Sequence, residues 1–144
     1  MMSTSAEDGG AVPEELDREE CLRLIAPGGV GRVAFDDGEG PTVLPVNYIL
    51  DGDTVVFRTT LGGRINTGVT TVLRGAEVRV AFEVDRFDER LEEGWSVLLR
   101  GPAHHLSEDE IERAPKVRPW PRGPRESFIS LTPVEISGRR LRRG

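Results

Sequence analysis

The sequence predicts a mainly β domain, a β-barrel of six to seven antiparallel strands with about three short helices around it. The first observation is alternation: between residues 77 and 85 apolar side chains alternate with charged ones almost strictly. The second is the short spacing of the turns, with Asp51-Gly52 as the strongest hairpin signal. The third is size, because 144 residues with 37% hydrophobic side chains suit one globular domain. Many short strands in one such domain are typical of a barrel.

The chain begins with a polar and glycine-rich segment. We expect residues 1–13 to form a disordered acidic leader and residues 14–144 to form the single domain. The first 20 residues hold seven acids and one base, which accounts for the whole net charge of -6.

A helix is expected directly after this leader. Asp17 is placed to cap it, Glu20 follows at the spacing of a capping box, and Leu16 can pack on Cys21 as a hydrophobic staple. The Pro-Gly-Gly run at 27–29 ends the helix.

From residue 30 the period of the sequence changes to two. The expected strands, in chain order, are 30–36, 42–50, 53–60, 77–85, 95–106, 126–131 and 134–141. Within the fourth of these, the apolar face is expected to fill the barrel.

Two further helices are expected between the strands. Residues 64–74 have apolar side chains at helical spacing, and residues 107–113 begin with a capping box formed by Ser107 and Glu110. Residues 114–125 contain four prolines and are expected to be an extended loop that carries Trp120.

Charge and cysteine content indicate where the protein works. Acidic residues outnumber basic ones 25 to 19 and the pI is near 5.0, which argues against nucleic-acid binding by the overall field. Cys21 is the only cysteine, and no apolar stretch approaches the ~18 residues of a membrane span, so we expect a cytoplasmic protein with no membrane partner.

The C-terminus is basic. Arg139, Arg140, Arg142 and Arg143 favour a solvated last strand, and contact with an anionic ligand or nucleic acid is the alternative.

The motifs of several enzyme classes are absent from the sequence. It has no nucleophile elbow, no Walker A loop, no dinucleotide fingerprint and no zinc-protease histidine pair. His104 and His105 are neighbours in a predicted strand, so they point to opposite faces and cannot chelate one metal; no metal site is expected. A catalytic protein of this composition needs a cofactor that carries the chemistry.

One segment suits a phosphate. A strand that begins at Val55 runs through a Gly-Gly turn into a helix start, where backbone N–H groups, the hydroxyls of Thr59 and Thr60, and the Arg64 guanidinium can surround an anion. The alternative is an ordinary turn followed by a surface arginine.

The chain resembles the FMN-binding split barrels similar to pyridoxamine 5'-phosphate oxidase, especially their small bacterial members. The resemblance covers residues 16–142. It rests on five stretches, LDREECLRLIAPGGVGRVAF, PVNYILDGDTVVFRTTLGGRI, RVAFEVD, GWSVLLRG and RPWPRGPRES followed by PVEISGRRL.

The resemblance implies a split β-barrel that binds FMN. In it, Thr59 and Arg64 would hold the phosphate, with Arg58 and Thr60 beside them. The strand that lines the isoalloxazine would contribute Pro45, Val46, Asn47 and Tyr48.

The resemblance also implies a homodimer with two sites, each completed by the partner subunit. The residues that would cross the interface are Trp95, Ser96, Trp120 and Arg125. Packing in the core or interface is the alternative for Trp95, and anchoring of its own loop is the alternative for Trp120.

Some positions depart from the vitamin-B6 oxidase. Ile65 stands where that enzyme has a second basic residue, Ile49 stands where it has a lysine, and no histidine follows Arg125. The leading interpretation is therefore a homodimeric FMN flavoprotein that transfers hydride to or from another small organic substrate. The alternatives are a non-catalytic flavin- or haem-binding carrier or sensor, and a deazaflavin-dependent reductase.

Overall fold

A computed structural model of the chain describes residues 11–60, 78–113 and 126–143. These ranges form eight strands and two helices. In chain order they are β1 (Ala11–Leu16), α1 (Arg18–Ile25), β2 (Gly29–Asp36), β3 (Pro41–Asp51), β4 (Thr54–Thr60), β5 (Val78–Asp88), β6 (Glu93–His105), α2 (Glu108–Arg113), β7 (Glu126–Leu131) and β8 (Glu135–Arg143). All seven predicted strands are confirmed. The predicted helix at 64–74 and the predicted loop at 114–125 lie outside the described residues.

The strands form one antiparallel sheet that closes on itself. Their order is β1-β8-β6-β5-β2-β3-β4-β7, and β7 also pairs with β6. Six strands therefore form a closed barrel, while β8 and β1 extend from it along β6. This confirms the β-barrel that the alternation predicted and the split barrel that the resemblance implied.

The split occurs where β6 changes partner. Its first half pairs with β8 as far as Arg100, and its last residues pair with β7. Gly101 lies between the two halves, and a Cβ on it would come 2.3 Å from the carbonyl oxygen of Thr132. Only glycine fits there, because the link from β7 to β8 crosses directly over this point.

The strand β1 was not predicted, and it shortens the expected disordered leader. Residues 11–13 belong to β1, which pairs with β8 along its whole length, so the leader does not extend to residue 13. The physical reason is charge: the acidic run near the N-terminus lies beside the basic run near the C-terminus. Glu14 pairs with Arg142 at 3.9 Å, and Glu20 pairs with Arg140 at 2.7 Å.

Helix α1 begins as predicted, with one difference. The Asp17 carboxylate accepts a hydrogen bond of 2.8 Å from the backbone N–H of Glu20. The Glu20 carboxylate does not complete the capping box, because it accepts hydrogen bonds from Arg23 and Arg140. These two arginines lower the pKa of Glu20 to about 2. Cys21 is fully buried beside Leu16, and burial raises the pKa of its thiol.

The barrel interior is filled from several strands. Val80, Phe82 and Val84 are buried, as the alternation of β5 predicted. The Phe82 ring meets Tyr48 edge-on at a centroid distance of 5.4 Å and packs on Phe57 at 5.6 Å.

Helix α2 packs on the outside of the barrel. Ile111 of α2, Val56 of β4 and Phe128 of β7 form a small cluster of their own. The predicted capping box is confirmed in both directions: the Ser107 hydroxyl accepts from the Glu110 N–H at 3.1 Å, and the Glu110 carboxylate accepts from the Ser107 N–H at 2.9 Å. Within the described ranges, neither helix has the length and apolar character needed to span a membrane.

Candidate functional site

The outer side of five adjacent strands, β8, β6, β5, β2 and β3, forms one continuous surface. We call it the open face. Pairing places Ser137, Leu98, Glu83, Arg32 and Pro45 in one row across it. Because side chains alternate along a strand, every second residue on each strand belongs to the same surface.

The neighbouring row has small residues in its centre. It runs through Glu135, Arg100, Ala81, Ala34 and Val43. Val43 is 60% exposed. The two alanines leave a flat area between charged and apolar flanks.

The row on the other side begins at β8. Arg139 pairs with Ser96, and Ser96 pairs with Asp85. On β2 and β3, Val30 pairs with Asn47, and Val30 is 49% exposed. These exposures show that no described element covers this part of the face.

A charged cluster lies in the centre of the open face. Arg32 Nη1 is 3.3 Å from Glu83 Oε1 and 3.3 Å from Asp85 Oδ2. Partial burial raises the pKa of Glu83 to about 7, with a further rise from the hydrogen bond and charge of Asp85 and an opposing effect of Arg32. The cluster therefore gains or loses a proton near neutral pH.

The segment of β3 that was predicted to line a flavin has side chains on both sides of the sheet. Pro45 and Asn47 lie exposed on the open face, whereas Val46 and Tyr48 point inward. Tyr48 is 1% exposed and its hydroxyl donates to the carbonyl oxygen of Ile25 at 2.8 Å. Burial raises its pKa to about 12. The Tyr48 side chain is thus a core residue, and only its backbone can face a ligand on the open face.

The predicted phosphate site is described in part. Arg58 lies on β4 with its side chain outward and partly exposed. Thr59 and Thr60 complete β4 and pair with Ser127 and Glu126 of β7. The remaining predicted residues, Arg64, Trp120 and Arg125, lie outside the described residues, so the phosphate cradle stays a prediction.

Trp95 and Ser96 point to opposite sides of β6. Trp95 packs against the core, and the Arg86 guanidinium lies 6.0 Å from its ring centroid. Ser96 lies on the open face. Of the two, only Ser96 is placed to meet a ligand on that face.

Two cavities lie along β6 and β8, and Ser96 borders the larger one. The larger, of about 540 Å³, runs between β1, β6 and β8 and is bordered by Arg139. The smaller, of about 380 Å³, continues along β6 and β8. In the sequence, Arg139 belongs to the basic C-terminal run, and no local pattern predicts this cavity, because the pairing of Ser96 with Arg139 joins residues far apart in the chain.

The two histidines lie at the end of β6, where this strand pairs with β7. His104 points outward, with one ring nitrogen 3.3 Å from the Ser130 hydroxyl and Nε2 3.6 Å from Glu110. His105 pairs with Ile129, which faces the interior, so the prediction of opposite faces is confirmed. Within the described ranges, no three side chains are grouped as metal ligands.

Comparison with known proteins places the chain among relatives of this fold. The family model of pyridoxamine 5'-phosphate oxidase matches residues 17–140. The uncharacterized protein Rv0080 of Mycobacterium tuberculosis is 33% identical over 129 residues, which cover 88% of this chain and 84% of that protein.

Two solved structures extend the comparison. The FAD-binding protein of Mycobacterium smegmatis has a TM-score of 0.73 at 28% identity and covers 90% of this chain and 100% of its own. The FAD- and haem-binding protein of the same organism has a TM-score of 0.67 at 13% identity and covers 90% and 74%. The second comparison shows a shared fold alone.

Proposed function

Since this chain belongs to the pyridoxamine 5'-phosphate oxidase family, we propose that it is a homodimeric flavin-binding oxidoreductase that uses FMN. The observation that carries the proposal is the open face, which presents Pro45 and Asn47 on one side of β5 and Ser96 on the other. The FAD-binding relative supports flavin as the cofactor class. FMN is the form that the phosphate-binding pattern at Thr59 and Arg64 favours.

The residues of the open face fit a flavin. The exposed Asn47 amide can donate to and accept from the polar edge of the ring, and Pro45 offers a flat apolar contact beside it. Arg58 adds a cation on the outer side of the neighbouring strand. Bound flavin would supply hydride transfer, while the protein contributes orientation and electrostatics.

The order of strands explains how a dimer would complete the site. β5 is the central strand of the open face. If two open faces pack around a two-fold axis that runs along β5, then β8 and β6 of one subunit oppose β3 and β2 of the other. Ser96 of one subunit is then brought toward Pro45 and Asn47 of its partner. This arrangement places one flavin at each end of the interface.

The dimer is tested by adding charge to the flat centre of the open face. Ala34→Glu should convert a dimer to a monomer of 15.9 kDa in sedimentation velocity at micromolar concentration, because the interface would remove a new carboxylate from water. Ala26→Glu is the matched control, since Ala26 is exposed at the end of α1 and belongs to none of the five strands of this face. A monomeric wild-type protein, or a dimer that tolerates Ala34→Glu, would refute this interface.

The phosphate assignment is tested with two ligands. Arg64→Ala should weaken FMN binding about 10- to 150-fold, the value of a charge-assisted contact, and leave riboflavin binding unchanged. Equal losses for both ligands would show that Arg64 does not contact the phosphate. Absorption of the purified protein separates the alternatives: a flavin spectrum supports the proposal, and a haem Soret band contradicts it.

The proposal that each site is shared between two subunits is tested with a heterodimer of two different variants. Arg64→Ala and Trp120→Ala chains, purified together as a heterodimer through separate tags, should retain one tight FMN site per dimer. That site draws Arg64 from one chain and Trp120 from the other. Two equally weakened sites would contradict the shared arrangement.

A further inference from the structure

The larger cavity on the open face has the composition of a ligand site. Its volume of about 540 Å³ lies in the range typical of small-molecule pockets. Six of the residues that border it are Glu15, Ser96, Leu98, Ile136, Ser137 and Arg139. Leu98 provides apolar surface in the floor, two hydroxyls lie beside it, and an arginine stands at one end.

Arg139 differs from the other arginines of β8. Arg140 pairs with Glu20, Arg142 with Glu14 and Arg143 with Glu92. Arg139 makes neither an ion pair nor a hydrogen bond with any described residue, and it is exposed. Its backbone neighbour across the strand pair is Ser96. A guanidinium and a hydroxyl are therefore available side by side at the same cavity.

Among the described residues that border this cavity, Glu15 is the acid. It lies opposite Arg139 on β1, also exposed, and it makes no ion pair with a described residue. Its carboxylate opposes the binding of an anion. Replacing Arg139 by a neutral residue should therefore weaken anion binding, and replacing Glu15 by a neutral residue should strengthen it.

We propose that this cavity is the substrate subsite of the flavoprotein, and that it selects small organic acids: Arg139 holds the carboxylate with help from Ser96, and the apolar part of the substrate lies on Leu98. This inference rests on the proposed function, because the dimer around β5 brings the cavity to the partner's flavin. Arginine suits this role because its planar fork matches a carboxylate. The substrate class also agrees with the absence of the vitamin-B6 residues at Ile49 and Ile65.

Benzoate is a suitable probe, since it combines a carboxylate with a flat apolar ring. Titration calorimetry on the full chain should show saturable binding of benzoate and no binding of benzyl alcohol at the same concentrations. Arg139→Gln should weaken benzoate about tenfold or more, and Arg139→Lys should weaken it less, because the charge remains while the fork is lost.

Two further variants separate a specific site from general charge effects. Glu15→Gln should tighten benzoate several-fold, because it removes the opposing carboxylate. Arg142→Gln removes a charge from the opposite side of β8 and should leave benzoate binding unchanged. Equal effects of Arg139→Gln and Arg142→Gln, or binding of benzyl alcohol as tight as benzoate, would overturn the proposal.

A second readout places the cavity relative to the flavin. In the flavin-loaded protein, benzoate should shift the visible absorption of the flavin at concentrations that match the calorimetric titration, and Arg139→Gln should move both curves together. Benzoate binding that depends on Arg139 with an unchanged flavin spectrum would overturn the substrate role. Failure of the protein to bind flavin would refute the proposed function, and calorimetry would still decide whether the cavity binds anions.

Discussion

Two parts of the barrel exterior carry similar apolar residues with very different exposure. On the side covered by α2, Val56 and Phe128 are 3% and 1% exposed. On the open face, Val30 and Val43 are about half exposed. A helix has buried the first pair, and no described element buries the second. This difference is the reason why the proposed dimer interface is placed on the open face.

The polar groups of the two sides differ in the same sense. On the covered side they satisfy one another locally, since Glu110 links Ser107 to His104 and His104 reaches Ser130. On the open face, charges from separate strands converge on Arg32, and Arg139 has no described partner. Polar groups that bond to one another hold α2 on the barrel, whereas a charge without a described partner, such as that of Arg139, is available to a ligand.

The largest expected effect contrasts the two sides directly. Phe128→Ala should lower the free energy of unfolding by about 3–5 kcal/mol, because it leaves a cavity beneath α2. Val43→Ala should change it by less than about 0.5 kcal/mol in the monomer. Urea titrations of both variants at protein concentrations low enough to dissociate the proposed dimer measure the stability of the single subunit. A large loss for Val43→Ala there would show that the open face is covered within one subunit.

The next effect depends on pH and arises in the centre of the open face. The raised pKa of Glu83, about 7, means that the folded protein keeps a proton that the unfolded chain releases near pH 4.5. Stability should therefore fall as pH rises from about 4.5 to about 7, and then level off. Because about a third of the Glu83 side chain is exposed, we expect a loss of only about 1 kcal/mol after solvent screening.

Glu83→Gln isolates this contribution. The glutamine cannot ionise, so the difference in unfolding free energy between pH 5 and pH 8 should be smaller in the variant than in the wild type. Glu39→Gln, in the exposed turn between β2 and β3, is the control and should retain the wild-type pH dependence. Identical pH dependence of Glu83→Gln and wild type would contradict proton uptake at this cluster.

Local patterns predicted most of the fold, because alternation and turn residues act within a few positions. The strand β1 was missed because its sequence, AVPEEL, is acidic and contains a proline, and only pairing with the basic β8 makes it a strand. Long-range charge of this kind has no local signature.

The candidate site was harder to predict than the fold. The family resemblance indicated the segment from Pro45 to Tyr48 but not which of its side chains face outward, and Tyr48 turned out to be a core residue. Arg139 and Ser96 meet only through the pairing of β8 with β6. Sites assembled across strands require a register, which the sequence alone does not provide.

The smallest expected effect lies where the two sides meet. Arg18 borders the smaller of the two cavities along β6 and β8. Its guanidinium is 2.9 Å from Asp53, which lies in the turn between β3 and β4. The flanking residues Asp51 and Thr54 border a third cavity, which Glu110 of α2 also borders. Both side chains are about half exposed, so solvent screens their attraction and holding two flexible side chains together costs entropy. Asp53→Asn should therefore lower the free energy of unfolding by less than about 0.5 kcal/mol. A double-mutant cycle with Arg18→Gln should give a coupling of about 0.2–1 kcal/mol that shrinks in 1 M salt. A larger coupling that persists in salt would mean that the Arg18–Asp53 pair fixes the covered side relative to the open face. A partner bound to the open face would then also affect the covered side.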